Sequence, residues 1–148
     1  MTALVPELEE LPSGLVLDGE LVAFNEHGNP HFPLLSRRIL HGDRRVPIQF
    51  MIFDVLVADS ESLLSRPYSE RRQLLDALRL NGGSWWTPQV FEDGKALYTA
   101  VCENGLEGIV AKPLRSLYRP GKRGWIKIKN RAYWRRESEV AAMQSARR

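Results

Sequence analysis

Residues 15–24 read LVLDGELVAF, apolar at both ends with Asp18, Gly19 and Glu20 at the centre. Side chains alternate along a strand. Read as a strand, the stretch puts Asp18 and Glu20 on one face with Val16 and Val22, and Leu15, Leu17 and Leu21 on the other. A carboxylate drawn out of water needs a partner, either a basic side chain or a metal ion. The competing reading makes Asp18-Gly19 a two-residue hairpin turn between LVL and ELVAF. Against it stands His27-Gly28-Asn29, a second turn signal that already closes the strand.

Working outward, residues 6–11 (PELEEL) read as a short helix with Leu8 and Leu11 on one side, broken by Pro12, Ser13 and Gly14. Residues 25–30 (NEHGNP) are a turn, with a short strand expected at His31 and Phe32. Residues 34–40 (LLSRRIL) read as a helix with Leu35 and Ile39 four apart. The β-branched and aromatic run VPIQFMIFDVLVA, 46–58, favours a long strand. DSESLLSRPY, 59–68, reads as a loop. Residues 69–80 form an amphipathic pattern, with Ser69 as N-cap and Leu74, Leu75 and Leu78 inward. Asn81-Gly82-Gly83 ends it.

Residues 95–104 predict another helix, with Gly105 where a left-handed residue is wanted. GIVAK (108–112) and WIKIK (125–129) read as strands. Strands and helices do not alternate as βαβ units require. The expected class is α+β, with largely antiparallel sheets packed against helices.

The 148 residues are 43% hydrophobic and 26% charged, ordinary for a soluble globular domain. No apolar run approaches the ~18 residues of a membrane span. The stretch MTALVPELEELPSG lacks the basic-then-apolar pattern of a signal peptide. One cysteine, Cys102, excludes an internal disulfide and fits a reducing compartment, so a cytoplasmic location and no membrane partner are expected. Residues 1–36 hold acids but no Lys or Arg, whereas Arg115–Arg136 is basic without an acid. That asymmetry suggests a polyanionic partner, or else a solvated basic face.

Further features bear on chemistry. Asp54 interrupts the apolar strand, with Phe53 directed to the opposite face. The plain structural reading is a core phenylalanine beside a salt-bridged aspartate. Glu107 stands between a helix end and a strand, a place for a ligand or a surface residue. Lys127 and Lys129 share a strand face and repel unless an anion sits between them. The alternative is an exposed edge strand guarded by lysines. YRPGKRG, 118–124, is a basic turn. His27 and His31 lack further ligands nearby, so no histidine metal site is expected.

The order DGEL, FMIFD, EGIVAK, WIKIK marks covalent nucleotidyltransferases. The chain resembles the adenylation domain of ATP-dependent DNA ligases, most closely the bacterial end-joining type. LDGELVAF, RPYSERRQLL, LEGIVAK, the YRPG loop and WIKIKN carry the likeness from about Thr2 to Asn130. RNA ligases and capping enzymes share the motif order, but WIKIKN and LEGIVAK look closer to DNA ligases.

The resemblance implies a partial, ATP-grasp-like adenylation domain over residues 1–134, followed by a helical or frayed tail at 135–148. It implies ATP with Mg²⁺ or Mn²⁺, and nicked double-stranded DNA as partner. By position, Glu20 would contact the ribose or a metal-bound water, and Phe53 would stack on adenine. Glu107 would hold the divalent metal. Lys127 and Lys129 would grip the α-phosphate, and Arg119 would reach the nucleotide or the nick phosphate. Arg131, Arg135 and Arg136 would touch DNA backbone, making binding salt-sensitive.

The family's nucleophile is a lysine in a Lys-x-Asp-Gly motif upstream of DGEL, which carries AMP as a phosphoramidate. The five lysines here are Lys95, Lys112, Lys122, Lys127 and Lys129, and none precedes x-Asp-Gly. The family's early arginine motif and its C-terminal OB domain are also outside the sequence. The chain therefore reads as the later half of an adenylation domain. Either a separate chain supplies the lysine segment, or these residues bind nucleotide or DNA without turnover, as an inactive remnant.

Overall fold

The computed structural model describes residues 8–122 and 124–133. The chain divides into two compact units. The first comprises residues 1–89 and 113–124, and the second residues 90–112 and 125–148. The tail expected at 135–148, with Arg135 and Arg136, lies outside the described residues, as do residues 6 and 7 of the helix expected at 6–11; residues 9–11 of that stretch form a turn and a bend.

The first unit is organised by β1 (Val16–Val22) and the long β2 (Gln49–Ala58), paired antiparallel. LVLDGELVAF is thus one continuous strand, and the hairpin reading of Asp18-Gly19 is excluded. Gly19 is needed for a different reason. A Cβ there would lie 2.5 Å from both the Met51 carbonyl oxygen and the Phe50 ring, so only glycine lets the partner strand approach. Ile52, Val55, Ala58, Leu63, Leu75, Leu80 and Trp85 form the main core, with Leu11, Leu15 and Leu17 packed on it. Each fully buried aliphatic side chain contributes about 1.5–3 kcal/mol.

Helix α1 runs Phe32–His41, two residues earlier than the leucine spacing indicated. The expected strand at His31 and Phe32 is absent. His31 instead caps the helix, its Nδ1 accepting from the Leu34 N–H at 3.3 Å, and Pro33 occupies the first turn. Gly42, with φ 67°, closes the helix in the left-handed region. Leu34 and Leu35 pack on Ala23, Val46 and Ile48 as a second core cluster, whereas Ile39 is half exposed.

The expected loop after β2 contains a hairpin. Asp59 and Ser60 both take positive φ, 49° and 67°, and Ala58 pairs with Glu61 at the start of β3 (Glu61–Ser62). Two consecutive positive φ values match the right-handed twist of the arms.

Helix α2 spans Tyr68–Ala77 and sets Leu75 wholly inside, with Leu74 and Leu78 against the core. Ser69 is not its N-cap. Pro67 is, and it makes no side-chain cap bond. Carbonyls of a distant segment satisfy the first amides instead: Tyr68 N–H donates to Ser116 O at 2.8 Å and Ser69 N–H to Leu114 O at 2.9 Å. Strand β4, Trp85–Trp86, adds a short parallel pairing with Phe50 and Met51, the one departure among the described residues from antiparallel pairing.

In the second unit, helix α3 (Gly94–Glu103) is capped by Asp93, whose carboxylate accepts from Lys95 and Ala96 N–H. Gly105 has φ 64°, as its position predicts. Strands β5 (Gly108–Ala111) and β6 (Ile126–Lys129) form a two-stranded antiparallel sheet. Among the described residues no helix is long and apolar enough to cross a membrane.

Candidate functional site

In the first unit the unusual chemistry centres on the β1–β2 ladder. Asp18 stands opposite Asp54, and then the register shifts so that Gly19 stands opposite Ile52. The extra residue on β2 is Phe53. A bulge of this kind re-aims a side chain and bends the strand. Phe53 is half-buried, and Glu20, opposite Met51, is exposed.

Two carboxylates directly opposite each other destabilise a sheet unless each is compensated. Asp54 is compensated by Arg71 of α2, both side chains being fully buried. Arg71 Nε donates to Asp54 Oδ1 and Nη2 to Oδ2, each at 2.8 Å. Its remaining nitrogen, Nη1, donates to Arg66 O at 2.6 Å and Ser116 O at 3.3 Å. The Arg71 Cζ lies 5.7 Å from the ring centroids of both Tyr68 and Tyr118.

Asp18 was expected to need a cation or a metal. It has instead a phenol: Tyr118 Oη donates to Asp18 Oδ2 at 2.9 Å. Burial, and then that hydrogen bond to a carboxylate, push the Tyr118 hydroxyl up to about 12. Burial likewise raises Tyr68.

Arg119 follows Tyr118 and opens the turn Arg119-Pro120-Gly121-Lys122, closed by Lys122 N–H to Arg119 O at 3.0 Å. Gly121 has φ 73°, which places Pro and Gly as a type II turn requires. Arg119 is exposed.

In the second unit the register sets Lys127 opposite Val110 and Lys129 opposite Gly108. Residues directly opposite share a face, so both lysines project from one side of the sheet. Lys112 extends that side, its Nζ 3.7 Å from the Trp125 ring centroid. Lys129 Nζ lies 3.7 Å from Glu107 Oε1, with both side chains largely exposed.

The backbone beneath is tightly held. Asn130 is buried, its N–H donates to Glu107 O at 2.7 Å, and its Nδ2 donates to Leu106 O at 3.0 Å. Tyr98 Oη donates to Lys129 O at 3.1 Å. A Cβ on Gly108 would collide with the Ile128 carbonyl, so glycine is required beside Glu107. Arg131 is exposed at the start of the helical turn that follows β6.

The donor set suits a polyanion: two ammonium groups on one strand face, a third alongside, and a carboxylate at the end of the row. Among the described residues no three His, Cys, Asp or Glu side chains gather for a metal. A cation held by one carboxylate, with phosphate oxygens and water completing its shell, fits Mg²⁺ preferences.

The structure brings together Glu107 with Lys129, and Asp18 with Asp54. Glu20, Phe53 and Arg119 belong to the first unit, and Glu107, Lys127, Lys129 and Arg131 to the second. Sequence reasoning missed Arg71, Tyr118 and Asn130 as organising residues. Asn130 closes the WIKIKN stretch, and Arg71 lies in RPYSERRQLL, but neither residue type predicts burial.

A model described as ATP dependent DNA ligase domain matches residues 2–129. The multifunctional non-homologous end joining protein LigD of Mycolicibacterium smegmatis is 38% identical over 136 residues, covering 87% of this chain and 17% of that protein. The SPbeta prophage-derived DNA ligase-like protein LigB of Bacillus subtilis is 34% identical, covering 90% of this chain and 51% of that one.

The ligase domain of M. tuberculosis LigD superposes with a TM-score of 0.71 at 34% identity, covering 87% of this chain and 43% of that one. A mycobacterial DNA ligase D complexed with ATP and MES gives the same score over 85% of this chain and 42% of that one. The chain thus spans about half or less of each of these relatives. With the match covering most of its residues, this chain belongs to the ATP-dependent DNA ligase domain family.

Proposed function

We propose that this chain carries the nucleotide-handling part of a DNA ligase that seals nicks in double-stranded DNA during repair, using ATP with Mg²⁺ or Mn²⁺. The observation that supports it most is the row Lys127, Lys129 and Glu107 on one edge of the β5–β6 sheet, fixed from below by Asn130. Two ammonium groups on adjacent same-face positions stabilise charge that develops on a phosphoryl group as its leaving group departs.

In this reading Lys127 and Lys129 hold the α-phosphate oxygens and Glu107 holds the cation. Phe53 stacks on the base, Glu20 serves the ribose or a metal-bound water, and Arg119 reaches a phosphate. Arg131, together with Arg135 and Arg136, follows the DNA backbone. The divalent ion, when bound, neutralises phosphate charge. No lysine among these 148 residues lies in Lys-x-Asp-Gly, so the amine that forms the P–N bond to AMP and releases pyrophosphate comes from a segment outside them.

The reading is tested by mixing the chain with a Lys-x-Asp-Gly fragment and α-labelled ATP. Labelled lysine is expected, and absence of label with either metal contradicts it. A pre-adenylated nick separates a second reading, binding without turnover. Sealing that depends on Glu107 rules the second reading out.

A further inference from the structure

Each residue of the first unit that the proposed function assigns to nucleotide lies within two positions of a member of one polar cluster, of which Asp54 and Arg71 are buried and Asp18 and Tyr118 partly so. Phe53 precedes Asp54, Arg119 follows Tyr118, and Glu20 lies two residues beyond Asp18. Asp18, Asp54, Arg71 and Tyr118 form two hydrogen-bonded pairs set side by side: Tyr118 to Asp18 at 2.9 Å, and Arg71 to Asp54 twice at 2.8 Å. Asp18 and Asp54 are cross-strand partners, and Tyr118 stacks near the Arg71 guanidinium.

We propose that Arg71 and Tyr118 are positioning residues that fix the three nucleotide-facing segments of the first unit against one another. This rests on the nucleotide reading above. The network ties together residues far apart in sequence, Tyr118 and Asp18 being 100 apart. It also fixes backbone. Arg71 Nη1 and the Tyr68 N–H both donate to Ser116 O, Ser69 N–H donates to Leu114 O, and Tyr118 N–H donates to Leu64 O at 3.2 Å. The stretch 114–118 is thus pinned at three residues, 114, 116 and 118, by four hydrogen bonds, and the turn carrying Arg119 starts from a fixed root.

A purely stabilising role predicts something else. A buried ion pair is frequently no better for stability than apolar packing of the same volume. A carboxylate pair placed face to face and then partnered from two separate elements adds geometric specification, because Asp54 is met by Arg71 of α2 and Asp18 by Tyr118 of the 114–118 stretch. Tyr118 is the informative site. Replacing it with Phe keeps the ring beside Arg71 and removes the hydroxyl that donates to Asp18.

The test measures ATP affinity and thermal stability of the full chain for wild type, Tyr118→Phe, Arg71→Lys and the core variant Leu75→Val. Hydrogen exchange of the 114–119 amides is followed in parallel. Tyr118→Phe is expected to weaken ATP binding five- to twentyfold and to speed exchange at 114–119, with a small drop in melting temperature. Arg71→Lys keeps the charge but loses the two-pronged geometry, and is expected to weaken ATP at least as much. Leu75→Val is expected to lower the melting temperature with ATP affinity unchanged.

If wild type binds ATP and Tyr118→Phe binds it equally well, the positioning role is overturned and the nucleotide reading stands. If affinity follows melting temperature across all variants, including Leu75→Val, the network is structural only and the proposal fails. If wild type binds no ATP, the nucleotide reading falls and the proposal falls with it.

Discussion

Lys129 Nζ stands 3.7 Å from Glu107 Oε1, across a backbone link in which Asn130 N–H donates to the Glu107 carbonyl. The contact joins a proposed phosphate-binding amine to a proposed metal ligand. Both side chains are more than half exposed, so the pair adds about 0–1 kcal/mol to stability. Glu107→Gln is therefore expected to shift the unfolding midpoint little while abolishing the Mg²⁺-dependent part of ATP binding. Titration of ATP with and without Mg²⁺ checks it. Equal Mg²⁺ dependence in the variant contradicts the metal role.

Gly19 and Gly108 make a prediction that concerns the fold alone. Any Cβ at Gly19 meets the Met51 carbonyl and the Phe50 ring, and any Cβ at Gly108 meets the Ile128 carbonyl. Backbone cannot yield as a side-chain tip can. Each Gly→Ala change is expected to cost roughly 2–4 kcal/mol, within the range of overpacking and strain. Urea denaturation reads this directly. Alanine tolerated at either site shows that the strands do not approach this closely.

Arg71→Met leaves Asp54 buried without its charge partner. The expected cost is about 3–5 kcal/mol, the typical penalty for stranding one member of a buried pair. Replacing Asp54 and Arg71 together by apolar residues should recover much of that loss. A double-mutant cycle in denaturant measures the coupling, and simple additivity contradicts the pairing.

The Tyr118 hydroxyl, raised to about 12, gives a pH signature. A tyrosine in the unfolded chain ionises near 10. The folded state therefore holds its proton between pH 10 and 12 while the unfolded state does not. The contribution of Tyr118 to stability is fully present below pH 10 and is lost as pH rises toward 12. Tyr118→Phe is expected to flatten that alkaline loss relative to wild type, with Tyr68 supplying part of what remains because its hydroxyl is also raised. Stability measured from pH 9 to 12 in both proteins decides it.

Much of the fold was legible because local pattern and global need agree. Alternation and β-branched content located β1, β2, β5 and β6 to within a few residues, and Gly105 marked the end of α3. What stayed hidden depends on partners distant in sequence. Ser69 looks like a cap, but the helix start is satisfied by carbonyls of residues 114 and 116, which nothing near Ser69 announces. Arg71 sits in a charged run that reads as solvated, yet it is wholly buried because Asp54 lies opposite it.

The same holds at the candidate site. Asp18 was legible as a carboxylate in need of a partner, but a phenol 100 residues away supplies one. The pairing of Glu107 with Lys129 follows from strand register, which the spacing of the two motifs does not encode. Strand β4 escaped because a parallel pairing of two residues leaves no periodic trace.

The most direct measurement is calorimetric titration of ATP into the chain with Mg²⁺, for wild type, Lys127→Ala and Lys129→Ala. One site per chain is expected, weakened at least tenfold by either substitution without loss of fold. Absence of binding at millimolar ATP, or affinity indifferent to both lysines, would contradict the assignment of this surface to the nucleotide.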